Sequence, residues 1–162
     1  MATVGIVMGS TSDWDVMKEA AQICKDFGIS YEARALSAHR TPVELEAWME
    51  EMEASGCQAF IAGAGGAAHL AGVVAAKTLL PTFGVPIPSK YLKGLDSLLA
   101  IVQMPKGIPV STLAIGEAGA ANAGLAVVSI LALNDADMKA KLVSFRAVQS
   151  EKVRNATLPE LA

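Results

Sequence analysis

Three short clusters carry the residue types that do chemistry: "MGSTSD" (8–13), "SAHRTP" (37–42) and "GAGGAAHL" (63–70). In the first, a glycine turn precedes Ser10, Ser12 and Asp13, offering backbone N–H groups and serine hydroxyls to a phosphate. It is not a P-loop, since no Gly-Lys-Ser/Thr follows. Ser12 or Asp13 also suits the plain task of capping a helix. The second cluster holds His39, the side chain there able to exchange a proton near neutral pH. Arg40 stands beside it, and its guanidinium can close over a phosphate bidentately. Both residues equally fit a solvated loop.

The third cluster, with Gly63, Gly65 and Ala68, matches a loose form of the dinucleotide fingerprint. That fingerprint belongs on the first βαβ unit, with an acidic residue about 20 positions later for the ribose. Here no Asp or Glu occurs between Glu53 and Asp96. The segment instead supplies a charge-poor run of bare backbone around Ala64, Gly65 and Gly66, followed by His69. Such a loop suits a carboxylate, or carbon dioxide held away from water. His69 is also readable as an ordinary helix histidine.

Alternating patterns must position these clusters. Short apolar runs at Thr3–Met8, Ser30–Leu36, Gln58–Gly63, Thr82–Pro88 and Val110–Ile115 read as strands. Between them the apolar spacing predicts helices from about Ser12 to Phe27, from Pro42 to a stop at Gly56, over "AAHLAGVVAAKTL", over Leu95–Val102 and from about Ala118 to Leu133. A last helix is predicted from Asp135 to about Asn155, amphipathic through Met138, Leu142, Phe145 and Val148. Thr41-Pro42-Val43-Glu44 predicts a capping box with proline at the first helical position. This alternation implies an α/β fold of flavodoxin/Rossmann-like type: three layers, α/β/α, around a parallel sheet of about five strands. Ligands in such folds bind beyond the carboxyl ends of the strands. All three clusters follow strands.

At 162 residues the chain is of single-domain size, and we expect one catalytic domain with 135–162 as a helical extension used in oligomer contacts. A net charge of −3 gives no sign of a nucleic-acid partner. Hydrophobic residues reach 52 %, charged ones only 18 %, and mean hydropathy is +0.41. That much apolar material is expected to be covered in a homo-oligomer. "GLAVVSILAL" (124–133) is about half the ~20 residues of a membrane span, and the N-terminus lacks a signal-peptide pattern, so we expect a cytoplasmic protein. Cys24 and Cys57 read as small buried hydrophobes in a reducing compartment. Two Cys and two His, widely spaced, make no zinc set.

With the motifs "GSTSDW", "SAHRTP", "AGAGGAAHL", "GLDSLLAIVQMP" and "AIGEAGAANAGL" in order from about residue 3 to 150, the chain resembles the PurE family, the carboxyaminoimidazole ribonucleotide mutases of purine biosynthesis. The resemblance implies an octameric α/β enzyme that moves CO2 from the exocyclic amine of its ribonucleotide substrate to ring carbon C4, without metal, ATP or biotin as cofactor. It implies that Ser10 binds the phosphate and Asp13 the ribose hydroxyls, that Ser37 and Arg40 hold the nucleotide from the second loop, and that His39 is the general acid/base. Ala64, Gly65 and Gly66, with His69 and Leu70, would surround the migrating carboxylate. Arg40 and the "GAGGAAHL" segment favour the mutase over relatives that carboxylate aminoimidazole ribonucleotide directly. Ala71 stands where the family carries proline. A reading of another class, a non-catalytic flavodoxin-like module, would not need His39.

Overall fold

The computed structural model describes residues 3–160. Five strands, β1 (Val4–Met8), β2 (Tyr31–Ala35), β3 (Ala59–Ala64), β4 (Thr82–Pro86) and β5 (Ser111–Thr112), alternate with helices. The helices are α1 (Trp14–Phe27), α2 (Pro42–Ala54), α3 (Leu70–Lys77), α4 (Leu95–Val102), α5 (Glu117–Leu131) and α6 (Ala136–Arg154). All strand pairs are parallel, in the order β2-β1-β3-β4-β5. The chain divides into two compact units after Val127, the sheet lying in the first and α6 in the second. Among the described residues no helix is long and apolar enough to cross a membrane.

Side-chain alternation in the buried strands sorts the core into two faces. Val7, Phe60, Ala62 and Ala64 pack with α2, α3 and α4 through Leu45, Trp48, Val74 and Ile101. The opposite face takes α1. A Cβ on Gly63 would collide with the Met17 thioether, so a side chain there would have to push the buried Met17 aside. Gly124 lets α5 approach α1 closely, since a Cβ there would lie 2.8 Å from Ile23 Cβ. Cys24 and Cys57 are buried and unpaired, and burial pushes the Cys24 thiol up to about 11, leaving it inert near neutral pH.

The sequence-based expectations need four corrections. Thr41 stands at the N-cap of α2 with Pro42 opening the helix, but its side chain makes no capping hydrogen bond. Its Oγ1 turns back to accept the Ser37 N–H at 2.8 Å and to donate to Ser37 O at 3.2 Å, closing the "SAHR" loop into a turn. Helix α1 is preceded by a separate 3-10 turn, Thr11–Asp13, and the capping box forms there, between Ser10 and Asp13. Helix α3 starts at Leu70, later than expected, because Ala68 N–H and His69 N–H bond two residues back, to Gly66 O at 2.8 Å and Ala67 O at 2.9 Å, a pairing no helix has. Strand β5 is only two residues long. Leu113 N–H donates to Gly84 O at 2.9 Å, but the next β4 residue facing β5 is Pro86, which has no N–H to return.

Candidate active site

The loops after β1, β2, β3 and β4 line a cleft of about 450 Å³, with Gly9, Ser10 and Asp13 from the first, Ser37, His39 and Arg40 from the second, Ala64, Gly65, Gly66 and, at the start of α3, Leu70 beyond the third. The volume is that of a small-molecule site. It lies beside β1 and β3, where the strand order reverses.

In the first loop, Ser10 Oγ accepts the Ser12 N–H at 3.3 Å and the Ser12 hydroxyl at 2.9 Å. With its oxygen engaged twice, Ser10 has its own proton left to donate, as a phosphate oxygen requires. Ser12, expected to bind substrate, does not line the cleft; it is exposed and reaches it only through its bond to Ser10. Asp13 Oδ2 accepts the Ser10 N–H at 3.1 Å. Burial raises the Asp13 carboxyl above its ordinary 3.8, against the opposing pull of the Ser10 N–H, Ser12 and Arg40. A carboxylate only accepts, which matches a pair of sugar hydroxyls.

The second loop is organised by Ser37, whose Oγ accepts the N–H groups of His39 at 3.3 Å and Arg40 at 3.2 Å, and Arg40 Nε at 3.4 Å. Arg40 Nη2 donates to Gly9 O at 2.8 Å. Two contacts thus pin the guanidinium while its other N–H donors remain available. The β1–β3 ladder also ends here. Gly9 N bonds Gly63 O at 3.3 Å, and the next rung would join Gly65 N to Gly9 O, which instead accepts from Arg40. The Gly65 N–H has no hydrogen bond among the described residues.

His39 and His69 meet across the second and third loops. His39 Nε2 lies 2.9 Å from His69 Nδ1, with the rings edge to face at 5.0 Å. One nitrogen must donate and the other accept, so the contact holds one shared proton. His69, expected to face the carboxylate, is not part of the cleft wall. Leu70 is, and it is buried to 2 % exposure.

Two features escaped the sequence reading. Ile87, Pro88 and Ser89, following β4, form a fourth wall. The strand-end rule, applied to "PIPSK", could have found them. Ser97, buried in α4, accepts the Gly66 N–H at 3.0 Å. An isolated serine in an apolar helix gives no sequence signal of that contact.

Asp13 yields a test. Its folded-state value lies above the unfolded one, so the native state holds the extra proton, and lowering the pH through that window stabilises the fold. Asp13→Asn is expected to remove this dependence and to match or exceed the wild-type Tm at pH 7. It should nonetheless weaken binding of a ligand that offers hydroxyls to this carboxylate about tenfold, the loss of one hydrogen bond from a charged group. Thermal scans from acid to neutral pH and a calorimetric titration check both; a lower Tm with unchanged binding would make Asp13 a purely structural cap.

An open parallel sheet of this order, with a cleft at its switch point, defines an α/β protein of flavodoxin-like type with a small-molecule site. Residues 3–152 match the model of the family described as AIR carboxylase, and the chain belongs to that family. The Vibrio cholerae protein named N5-carboxyaminoimidazole ribonucleotide mutase is 55 % identical over 151 residues, spanning 93 % of this chain and 94 % of its own. The protein of that name from Escherichia coli K12 is 53 % identical over 152 residues, spanning 94 % and 90 %. The crystal structure of Treponema denticola PurE superposes with a TM-score of 0.84 at 30 % identity, covering 93 % of this chain and 92 % of that one.

Proposed function

We propose that the chain is a mutase of purine biosynthesis that interconverts N5-carboxyaminoimidazole ribonucleotide and its C4-carboxy isomer. The relatives' names support the reaction. The observation that carries it to this chain is the meeting of Ser10, Asp13, His39, Arg40 and the Gly65–Gly66 backbone in one cleft.

In this reading Ser10 and Arg40 hold the phosphate and Asp13 the ribose hydroxyls. The carbamate faces Ala64, Gly65, Gly66 and Leu70, where the free Gly65 N–H can bond a carboxylate oxygen. Protonation of the carbamate nitrogen by His39 breaks the N–C bond and releases CO2 inside the cleft. The electron-rich C4 then attacks that CO2, forming the C–C bond, and its proton returns to His39. No net proton is consumed. Holding the two fragments together replaces a bimolecular encounter by a positioned one, and a positioned imidazole can serve both transfers. The contact with His69 gives the proton a second site within the protein.

We further propose that the chain works as one catalytic domain in a homo-oligomer, with 135–162 used in contacts between copies and an octamer as the expected assembly. Leu95, Leu99 and Val102 form an exposed apolar row on α4, with exposed Tyr91 and Leu92 just before it. Surfaces of that kind mark contacts between proteins.

The family's description leaves one other reaction on the same fold, direct carboxylation of aminoimidazole ribonucleotide by CO2. Pure protein given the carbamate substrate in isotopically labelled bicarbonate is expected to form product free of label. Labelled product would assign the carboxylase instead, and no turnover would leave a nucleotide-binding module.

A further inference from the structure

We propose that Ser97 is the positioning residue that sets the width of the cleft where CO2 is held, by standing in for one rung of the sheet. The proposal rests on the mutase reading and adds to it a residue that does not touch substrate.

Strand β3 donates to β4 from its even-numbered residues. Phe60 N bonds Pro81 O at 3.0 Å, and the register runs from Phe60 opposite Thr82 to Ala64 opposite Pro86. Ile87 N answers by donating to Ala64 O at 2.9 Å. One step further, the same ladder would place Gly66 N directly on Ile87 O. Ser97 Oγ occupies that place. It accepts the Gly66 N–H at 3.0 Å and donates its own proton to Ile87 O at 2.7 Å. A single hydroxyl therefore satisfies both groups of the missing rung while keeping the two strand ends two hydrogen bonds apart rather than one.

Ser97 has no solvent exposure, so water does not compete for either bond. A buried N–H or C=O is rarely left unpaired, which makes the bridge hard to dispense with. It also holds Gly66 in its left-handed conformation and uses up the Gly66 amide, leaving the substrate to the Gly65 N–H. Gly65 packs against Ile87, and the bridge fixes that spacing: a Cβ on Gly65 would lie 3.5 Å from Ile87 Cβ. The third and fourth loops thus form one rigid wall, linked through α4.

Without the hydroxyl, Gly66 N and Ile87 O either close on each other or stay unpaired, and in both cases the wall shifts. The phosphate and ribose loops are untouched. Ser97→Ala is expected to keep KM within about threefold and to lower kcat by about 100-fold, the scale of a roughly 1 Å misplacement. It should also let labelled bicarbonate into the product, as CO2 escapes before recapture. Ser97→Thr, which keeps the hydroxyl, should exclude label as wild type does. Retained kcat and label exclusion in Ser97→Ala, or equal loss in both variants, overturns the proposal. Should Ser97→Ala fail to fold, Ser97→Cys, whose sulfur lengthens both bonds, is expected to leak label, and exclusion of label there overturns it equally. Wild-type protein that does not isomerise the carbamate sinks the mutase reading instead. The bridge is then judged by exchange of the Gly66 amide, expected to quicken at least about tenfold in Ser97→Ala as a buried bond is lost; unchanged exchange overturns it.

Discussion

Replacing His39 by asparagine is expected to stop isomerisation while leaving ribonucleotide affinity within about threefold. General acid–base groups contribute about 10²–10⁴-fold to a rate, and here one group is asked to serve two proton transfers, so the loss should sit at or beyond the upper end. Asparagine keeps a polar side chain of similar reach but cannot shuttle a proton at neutral pH. The side chain of His39 is exposed and among the described residues bonds only to His69, while its N–H is held by Ser37, so the loop should survive the change. Steady-state turnover with the carbamate, set beside calorimetric binding of an unreactive ribonucleotide, separates the two effects. Parallel loss of rate and affinity would mean that His39 holds the substrate or the loop and is not the proton carrier. His69→Asn supplies a control, because it removes the second ring and keeps the first; it should slow the reaction far less than the change at His39.

Replacing Arg40 by alanine should instead act on binding. The guanidinium is anchored by Gly9 O at 2.8 Å and by Ser37 Oγ at 3.4 Å, which leaves donors for a phosphate without further ordering of the side chain. Two charge-assisted hydrogen bonds at about 1.5–3 kcal/mol each imply a fall in ribonucleotide affinity of about two to four orders of magnitude. The informative comparison is between the ribonucleotide and the nucleoside that lacks its phosphate. Wild-type protein should prefer the former strongly, and Arg40→Ala should erase most of that preference. Arg40→Lys should recover only part of it, since an ammonium cannot bond Gly9, Ser37 and a phosphate from one planar group. A preference that persists at full size in Arg40→Ala would place the phosphate elsewhere.

The wall formed after β3 shows how three neighbouring glycines answer to different constraints. A Cβ on Gly63 would press on the Met17 thioether behind the sheet, one on Gly65 would meet Ile87 only at ordinary contact distance, and Gly66 holds a positive φ. A motif reading treats them as one pattern and therefore suggests a dinucleotide. Only their separate surroundings reveal a strand end that is splayed open beside a polar cleft. The capping signals show the converse error. Thr41 and Glu44 have the right types and spacing for a capping box, yet Thr41 is drawn back to Ser37 because the second loop needs its own backbone groups paired.

The signals legible along the chain are local. Period-2 and period-3.6 hydrophobicity, with glycine and proline as punctuation, placed five strands, six helices and three polar clusters at strand ends, and the motifs placed the family. Each of those signals is carried by residues within one or two turns of each other. Pairing at a distance emerges only in the assembled fold: His39 against His69, thirty residues apart, and Gly66 against Ser97, thirty-one apart. The strand-end rule points to "PIPSK", but that it walls this cleft depends on β4 lying next to β3. The reason is physical. A side chain's burial pattern is written in its neighbours along the chain, whereas the partner of a hydrogen bond depends on strand order and register, which are settled when the whole sheet assembles.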